Sequence, residues 1–124
     1  MVILFISRHH PTASQLSELT RLFGNHELRA DTSPFTDAAD IKRRIVEQGA
    51  AEVVCIAPLS VLQKLLEFGV RPLTARMEKC QPDQAEVVTP GRRGTRYLKF
   101  KKFQRLTSIE MTYSEVSPTG DQTT

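Results

Sequence analysis

Long hydrophobic runs are missing from this chain of 124 residues. No stretch approaches the ~18 consecutive apolar residues of a membrane-spanning helix, so no membrane partner is expected. The opening run, Val2–Ile6, is short, has no basic prefix and leads into Arg8-His9-His10, which is not the build of a secretory signal. Cysteine is scarce too: Cys55 and Cys80 are the only two, without metal-ligand spacing. Cys55 lies in an apolar segment and reads as a buried thiol, and a reducing, cytoplasmic setting is the expectation. No histidine follows His26. His9, His10 and His26 lack supporting cysteine or carboxylate spacing, so neither a metal nor another cofactor is called for. Gly91-Arg92-Arg93-Gly94 does not have the glycine spacing of a Walker or Rossmann phosphate loop.

Acidic residues are absent from one particular stretch. Between Arg92 and Arg105 stand Arg92, Arg93, Arg96, Lys99, Lys101, Lys102 and Arg105, with no Asp or Glu among them. The net charge of +3 conceals this, because the rest of the chain is acidic on balance. Such a bias suits an anionic partner, although lysines on a solvated edge strand also serve simply to discourage aggregation.

What is present alternates strand and helix over the first two-thirds. Val2–Ile6 reads as a buried strand. Thr12–Phe23 reads as a helix with Pro11 near its first turn and Leu16, Leu19 and Phe23 on one face. His26–Ala30 is a short strand, followed by the turn-forming loop Asp31-Thr32-Ser33-Pro34. Thr36 is the expected N-cap of a second helix, with Asp37 and Asp40 in its first turn and Ala38, Ile41 and Ile45 inward. Glu52–Ala57 has the near-continuous apolar character of a strand central to a parallel sheet. Pro58 opens a third helix that Gly69 stops, and Val70–Met77 resumes as strand. Beyond Lys79 the pattern becomes β only: Ala85–Thr89 and Thr95–Phe103 form a hairpin through Pro90–Gly94, and Thr107–Tyr113 is a further strand. The expectation is an α/β fold with a mainly parallel sheet, three βα units and C-terminal antiparallel strands. Residues 1–116 would form one domain, with 1–79 as the βα units and 80–116 as a basic β extension, and 117–124 would be a disordered tail.

The junction at residue 7 draws most attention. A strand, a short polar turn and a helix N-terminus aim free backbone N–H groups and a helix dipole at one point, which suits phosphate. Ser7, Arg8, His9 and His10 occupy that turn and are the candidate catalytic residues. Arg8 offers a bidentate phosphate contact, and a histidine offers a general acid or base near neutral pH. The plainer alternative is a polar turn in which Thr12 or Ser14 caps the helix. Ligands of open α/β sheets bind beyond the carboxyl ends of the strands, where Ser7–Thr12, Asp31–Thr36 and Ala57–Ser60 are expected to converge. Thr12, Ser33, Thr36, Pro58 and Ser60 are the ligand-binding candidates there, with Arg92 and Arg93 reaching in from the basic turn. A second reading places nucleic acid on the C-terminal strands through Arg96, Tyr97, Lys99, Lys101 and Lys102, in which an aromatic interleaved with cations stacks bases and holds phosphates. Leu98 and Phe100 are expected in the core.

Two resemblances bear on the first loop. Arg8-His9-His10-Pro11-Thr12 resembles the Arg-His-Gly-x-Thr signature of histidine phosphatases, but His10 stands at the glycine position and the second catalytic histidine has no counterpart after His26. Ile3–Thr12, with Ala51–Leu59 and Gly69–Leu73, resembles small CRISPR-associated proteins with Rossmann-like folds, in the neighbourhood of the cyclic-oligoadenylate sensors and ring nucleases. That resemblance covers residues 1–79. It implies a homodimer that binds a cyclic oligoadenylate across its two-fold axis through strand-end loops, with Ser7, Arg8, His9 and His10 as first-loop contacts, and in ring nucleases a metal-independent cleavage.

Overall fold

Every residue from Ile3 to Ile6 is buried, and alternate side chains go to opposite cores. Ile3 and Phe5 pack under one helix, Leu4 and Ile6 under two others, which is why this strand tolerates no polar residue. The structure is a computed structural model that describes residues 1–110, 112 and 114–116. Strands β1 (Val2–Ile6), β2 (Glu27–Asp31), β3 (Glu52–Cys55) and β4 (Leu73–Lys79) alternate with helices α1 (Ala13–Phe23), α2 (Ala38–Glu47) and α3 (Leu59–Glu67). A short 3-10 turn at Pro82–Gln84 then leads to β5 (Val87–Gly91) and β6 (Gly94–Arg105). The six strands form one sheet in the order β2-β1-β3-β4-β6-β5.

The sheet is mixed rather than mainly parallel. The ladders β1–β2, β1–β3 and β3–β4 are parallel, but β4–β6 and β5–β6 are antiparallel, and β4–β6 is the longest in register. The physical reason is that a hairpin pairs along its whole length, whereas β3 meets β4 in parallel only at Val54 and Leu73. Leu19 and Phe23 of α1 cover Ile3, Phe5, Val54 and Leu73 on one face. Ala38, Ile41, Leu62 and Leu65 of α2 and α3 cover Leu4, Ile6, Val53 and Cys55 on the other.

Several boundaries move from the sequence expectation, each for a local reason. Helix α2 is capped by Asp37, whose carboxylate accepts the Asp40 amide at 2.9 Å, and not by Thr36. Strand β4 starts at Leu73 because Gly69, at φ +83°, ends α3 and the Val70 amide closes back on the Leu65 carbonyl. Pro90 falls inside β5, which is an edge strand and loses no ladder bond to a missing N–H. Arg92 and Arg93 alone make the hairpin turn, with Gly94 at φ +114° carrying the backbone conformation an L side chain resists. The expected strand over Thr107–Tyr113 is not formed by its described residues, 107–110 and 112, and Met111 and Tyr113 lie outside the described residues. Strand β4 already has β3 and β6 on its two edges, so Leu106 and Ile109 instead pack onto the core cluster beneath α2 and α3. The expected tail, 117–124, also lies outside the described residues.

A β-bulge sets the face of the C-terminal aromatics. Arg76 pairs with Lys102 and Met77 with Phe100, so Lys101 is an extra residue in β6. Phe100 and Phe103, three apart, thereby share a face, with ring centroids 4.7 Å apart, and Phe103 meets Phe5 edge-on at 6.5 Å. Strict alternation would have sent one of them to solvent.

Candidate functional site

Strand β1 ends at Ile6, and the Ser7 amide donates to the Asp31 carbonyl while Ile56 N–H donates to the Ile6 carbonyl. The starts of the three expected loops therefore adjoin. Their side chains do not share one cavity. Ser7, His9, His10 and Thr12 line a small cavity of about 140 Å³ together with Gln15. Its apolar walls are Phe5, Ile56, Ala75, Met77, Val87 and Leu98. Arg8 is exposed, lines no part of this cavity, and has no ion-pair partner among the described residues. Pro58 and Ser60 are exposed at the start of α3. Thr36 lines a separate shallow depression with Asp37, Asp40 and Arg43.

The loop before α2 is stitched to the scaffold rather than left free for a ligand. Arg44 donates to Asp31 at 3.2 Å, to Asp40 at 2.9 Å and to the carbonyls of Ser33 and Pro34. Burial alone would raise the Asp31 carboxyl, but Ser33 and Arg44 outweigh it and hold the pKa below its ordinary value. Asp40 is also lowered, chiefly by the Thr36 amide and then by Arg44 and Arg43 against its burial. Asp31 thus belongs to Arg44 and does not serve the first loop. Among the described residues, no three His, Cys, Asp or Glu side chains group as metal ligands would.

The N-terminus of α1 holds an anion of its own. Thr12 is the N-cap: its hydroxyl accepts the Gln15 amide at 3.2 Å, and Gln15 Oε1 accepts the Thr12 N–H at 3.0 Å, a complete capping box. Beside it, Ser14 donates its hydroxyl to the Glu86 carboxylate. The same carboxylate accepts the Phe100 N–H at 2.8 Å, an amide of the bulged strand. The sequence reading put Glu86 in a strand, but β5 starts one residue later, and this frees Glu86 to bridge α1 and β6. The Ser14 hydroxyl above all, then the Phe100 amide and the Thr12 hydroxyl, lower the Glu86 pKa against the effect of burial. Because the folded-state value lies below the ordinary 4.5, the bridge stabilises fully above that pH and is lost as pH falls through the lower value. Glu86→Gln is therefore expected to cost about 1 kcal/mol at pH 7, discounted for exposure, and to flatten the acid side of the stability curve below pH 4.5. Urea unfolding at a series of pH values from 7 downward checks both, since the difference between the two proteins should be full at pH 7 and shrink progressively below pH 4.5.

A larger cavity lies at the hairpin tip. It measures about 520 Å³ and is lined by Lys79, Arg92, Arg93 and Arg96, with Cys80 and Tyr97 beside them. Among the described residues no carboxylate lines it and none pairs with these four cations. Arg96 lies across Gly91, where even a methyl group would meet its side chain at 2.5 Å. Strand pairing brings Lys79 here, since Lys79 is opposite Leu98 and the Cys80 amide donates to the Tyr97 carbonyl. The other basic residues of the run are differently placed. Lys99 and Lys101 both approach Glu78, at 3.7 and 3.9 Å. Arg105 is clamped by both oxygens of Glu52, each at 2.7 Å. Lys102 faces Arg76 across the ladder, two like charges in register.

Sequence reasoning missed Lys79, Glu86 and Gln15. Lys79 carries no signal without the β4–β6 register, and Glu86 none without the docking of the hairpin on α1. Gln15 was legible as the fourth residue of a capping box, three after Thr12. Compared with known proteins, the chain matches no family model, no curated protein and no solved structure. The described residues form a mixed α/β protein with a six-stranded mixed sheet and three helices, and none of these helices is long and apolar enough to cross a membrane.

Proposed function

We propose that this protein is a binding module for single-stranded nucleic acid, which it holds through the basic cleft at the tip of the β5–β6 hairpin. The observation that carries this reading is the cleft itself: four cations, Lys79, Arg92, Arg93 and Arg96, line about 520 Å³ with no carboxylate among the described residues. Its volume is that of a ligand site, and a two-residue turn with strands on either side presents the arginines. Arginine is suited to phosphate because its planar fork donates two parallel hydrogen bonds. A single strand lays its phosphates along such a groove and leaves its bases free to find apolar surface.

The second reading is a cyclic oligoadenylate held by the first loop, as the likeness to CRISPR-associated proteins implies. In support of it, strands and helices alternate through β4 and the ladders there are parallel, which is the basis for reading this half as Rossmann-like. Ser7, His9, His10 and Thr12 also share one cavity. The Glu86 carboxylate counts against it, because it already takes the hydrogen bonds that a phosphate would seek at α1. The hairpin therefore carries the stronger case.

Fluorescence anisotropy with a labelled single-stranded RNA of about twelve nucleotides tests the proposal. Each neutralised phosphate releases counterions, so four cations should give a slope of log K against log salt of about −3. Absence of binding at ~10 µM protein and ~50 mM salt, or a slope near zero, would overturn it. Arg8→Ala separates the two readings. The hairpin reading expects RNA affinity within about twofold of the parent and an unchanged melt. Under the first-loop reading the variant loses cyclic-oligoadenylate affinity by about tenfold to a hundredfold, the cost of one charge-assisted contact.

A further inference from the structure

We infer that the small cavity between the first loop and the hairpin is a pocket for one pyrimidine base of the bound strand. This rests on the nucleic-acid reading above and specifies what the strand offers to the protein beyond its phosphates.

Three observations lead to it. The first is size and lining. The cavity is about 140 Å³, with Phe5, Met77, Val87 and Leu98 among its walls. An apolar cavity of about 150 Å³ accommodates benzene, so this one suits a single six-membered ring and is small for a fused purine.

The second observation is an under-used polar group. Gln15 is 7% exposed and lines the cavity. Its carbonyl oxygen must face the Thr12 N–H to complete the capping box, which fixes the orientation of the amide. The amino end is then left with the Met77 sulfur, 3.8 Å away, as its one partner among the described residues. A thioether is a weak acceptor, and an amino group has two hydrogens to donate. Both uracil and cytosine present a ring carbonyl that would accept one of them. A pocket with apolar walls, one buried donor in Gln15 and the less buried Ser7, His9, His10 and Thr12 on its polar side reads a planar heterocycle in the way ligand sites generally do.

The third observation is the neighbourhood. Leu98 and Val87 are opposite one another in the hairpin and wall the cavity. Arg96 and Thr89 are the next pair on that same face, and Arg96 lines the basic cleft. The apolar pocket and the cationic cleft are therefore consecutive steps along one surface, a base site beside a phosphate site.

Free nucleosides, which carry no phosphate, test the pocket apart from the cleft. In heteronuclear NMR titrations, uridine and cytidine are expected to shift the Gln15 side-chain amide and the Met77 methyl, with dissociation constants in the millimolar range. Adenosine and guanosine should bind at least about fivefold more weakly. Ala75→Leu fills the cavity and should weaken uridine binding by about tenfold or more, with the RNA salt slope retained. Gln15→Glu keeps the oxygen that caps α1 and replaces the donor by an acceptor, so it should do the same if Ala75→Leu does not fold. The inference is overturned if no nucleoside moves these two signals at ~10 mM, or if purines bind as tightly as pyrimidines. In that event a steep RNA salt slope would leave the cleft reading standing. A flat RNA slope alongside uridine shifts at Gln15 would instead remove the cleft reading and keep the pocket.

Discussion

Replacing Arg92, Arg93 and Arg96 together by Gln is expected to weaken single-stranded RNA binding about a hundredfold at ~50 mM salt and to reduce the salt slope from about −3 to about −1. Three of the four cations that line the cleft are removed, and Lys79 remains. The thermal melt should move little, because all three side chains are exposed and none forms an ion pair with a described residue. Lys99→Gln with Lys101→Gln is the comparison that gives this result its meaning. Both lysines lie within 4 Å of Glu78, which already offsets part of their charge. The double variant should lose less than about threefold in affinity. The sequence alone would have ranked these lysines with the arginines, since all stand in one acid-free run. Equal losses from the two sets would mean that the nucleic acid is not confined to the hairpin tip and also meets the sheet surface around Glu78.

Phe5→Ala should have the largest effect on stability, about 3–5 kcal/mol. Phe5 is 2% exposed, lies in the cluster under α1 and meets Phe103 edge-on. Its loss would open a cavity at the point where the parallel half of the sheet and the β6 hairpin are packed together. Leu59→Ala provides the contrast: Leu59 is 62% exposed in the first turn of α3 and its variant should melt within about 2 °C of the parent. Denaturant unfolding of both variants checks the pair. A Phe5→Ala protein as stable as the parent would mean that β1 is not buried on both faces.

The strand and helix order through β4 was readable because burial there follows simple periods. Val2–Ile6 and, after Glu52, Val53–Cys55 are apolar on both faces, as strands between two helical layers must be. The hairpin was readable from Gly91 and Gly94 flanking a polar turn. The mixed character of the sheet was not, because no local signal says how many residues of β4 will pair with β6. The bulge at Lys101 was equally silent, yet it decides that Phe103 faces the core. The site was only partly legible. Residue identity pointed correctly to a polar first loop next to a helix N-terminus. It could not show that Glu86, more than seventy residues downstream of Ser14, would supply the anion for that terminus. The basic run was visible as composition, but its division into Glu78-shared lysines, a Glu52-clamped Arg105 and cleft arginines without a carboxylate partner among the described residues depends on register across strands.

The location of bound nucleic acid is most directly tested by Cys80. This thiol is half-buried at the edge of the basic cleft, whereas Cys55 is fully buried with its pKa pushed up to about 12 by desolvation. A neutral alkylating reagent such as iodoacetamide should therefore modify the folded protein at Cys80 and spare Cys55. With RNA at saturating concentration, confirmed by anisotropy in the same buffer, the rate at Cys80 should fall about tenfold or more as the strand covers the cleft. An RNA-saturated protein whose Cys80 reacts at the rate of the free protein would contradict the account.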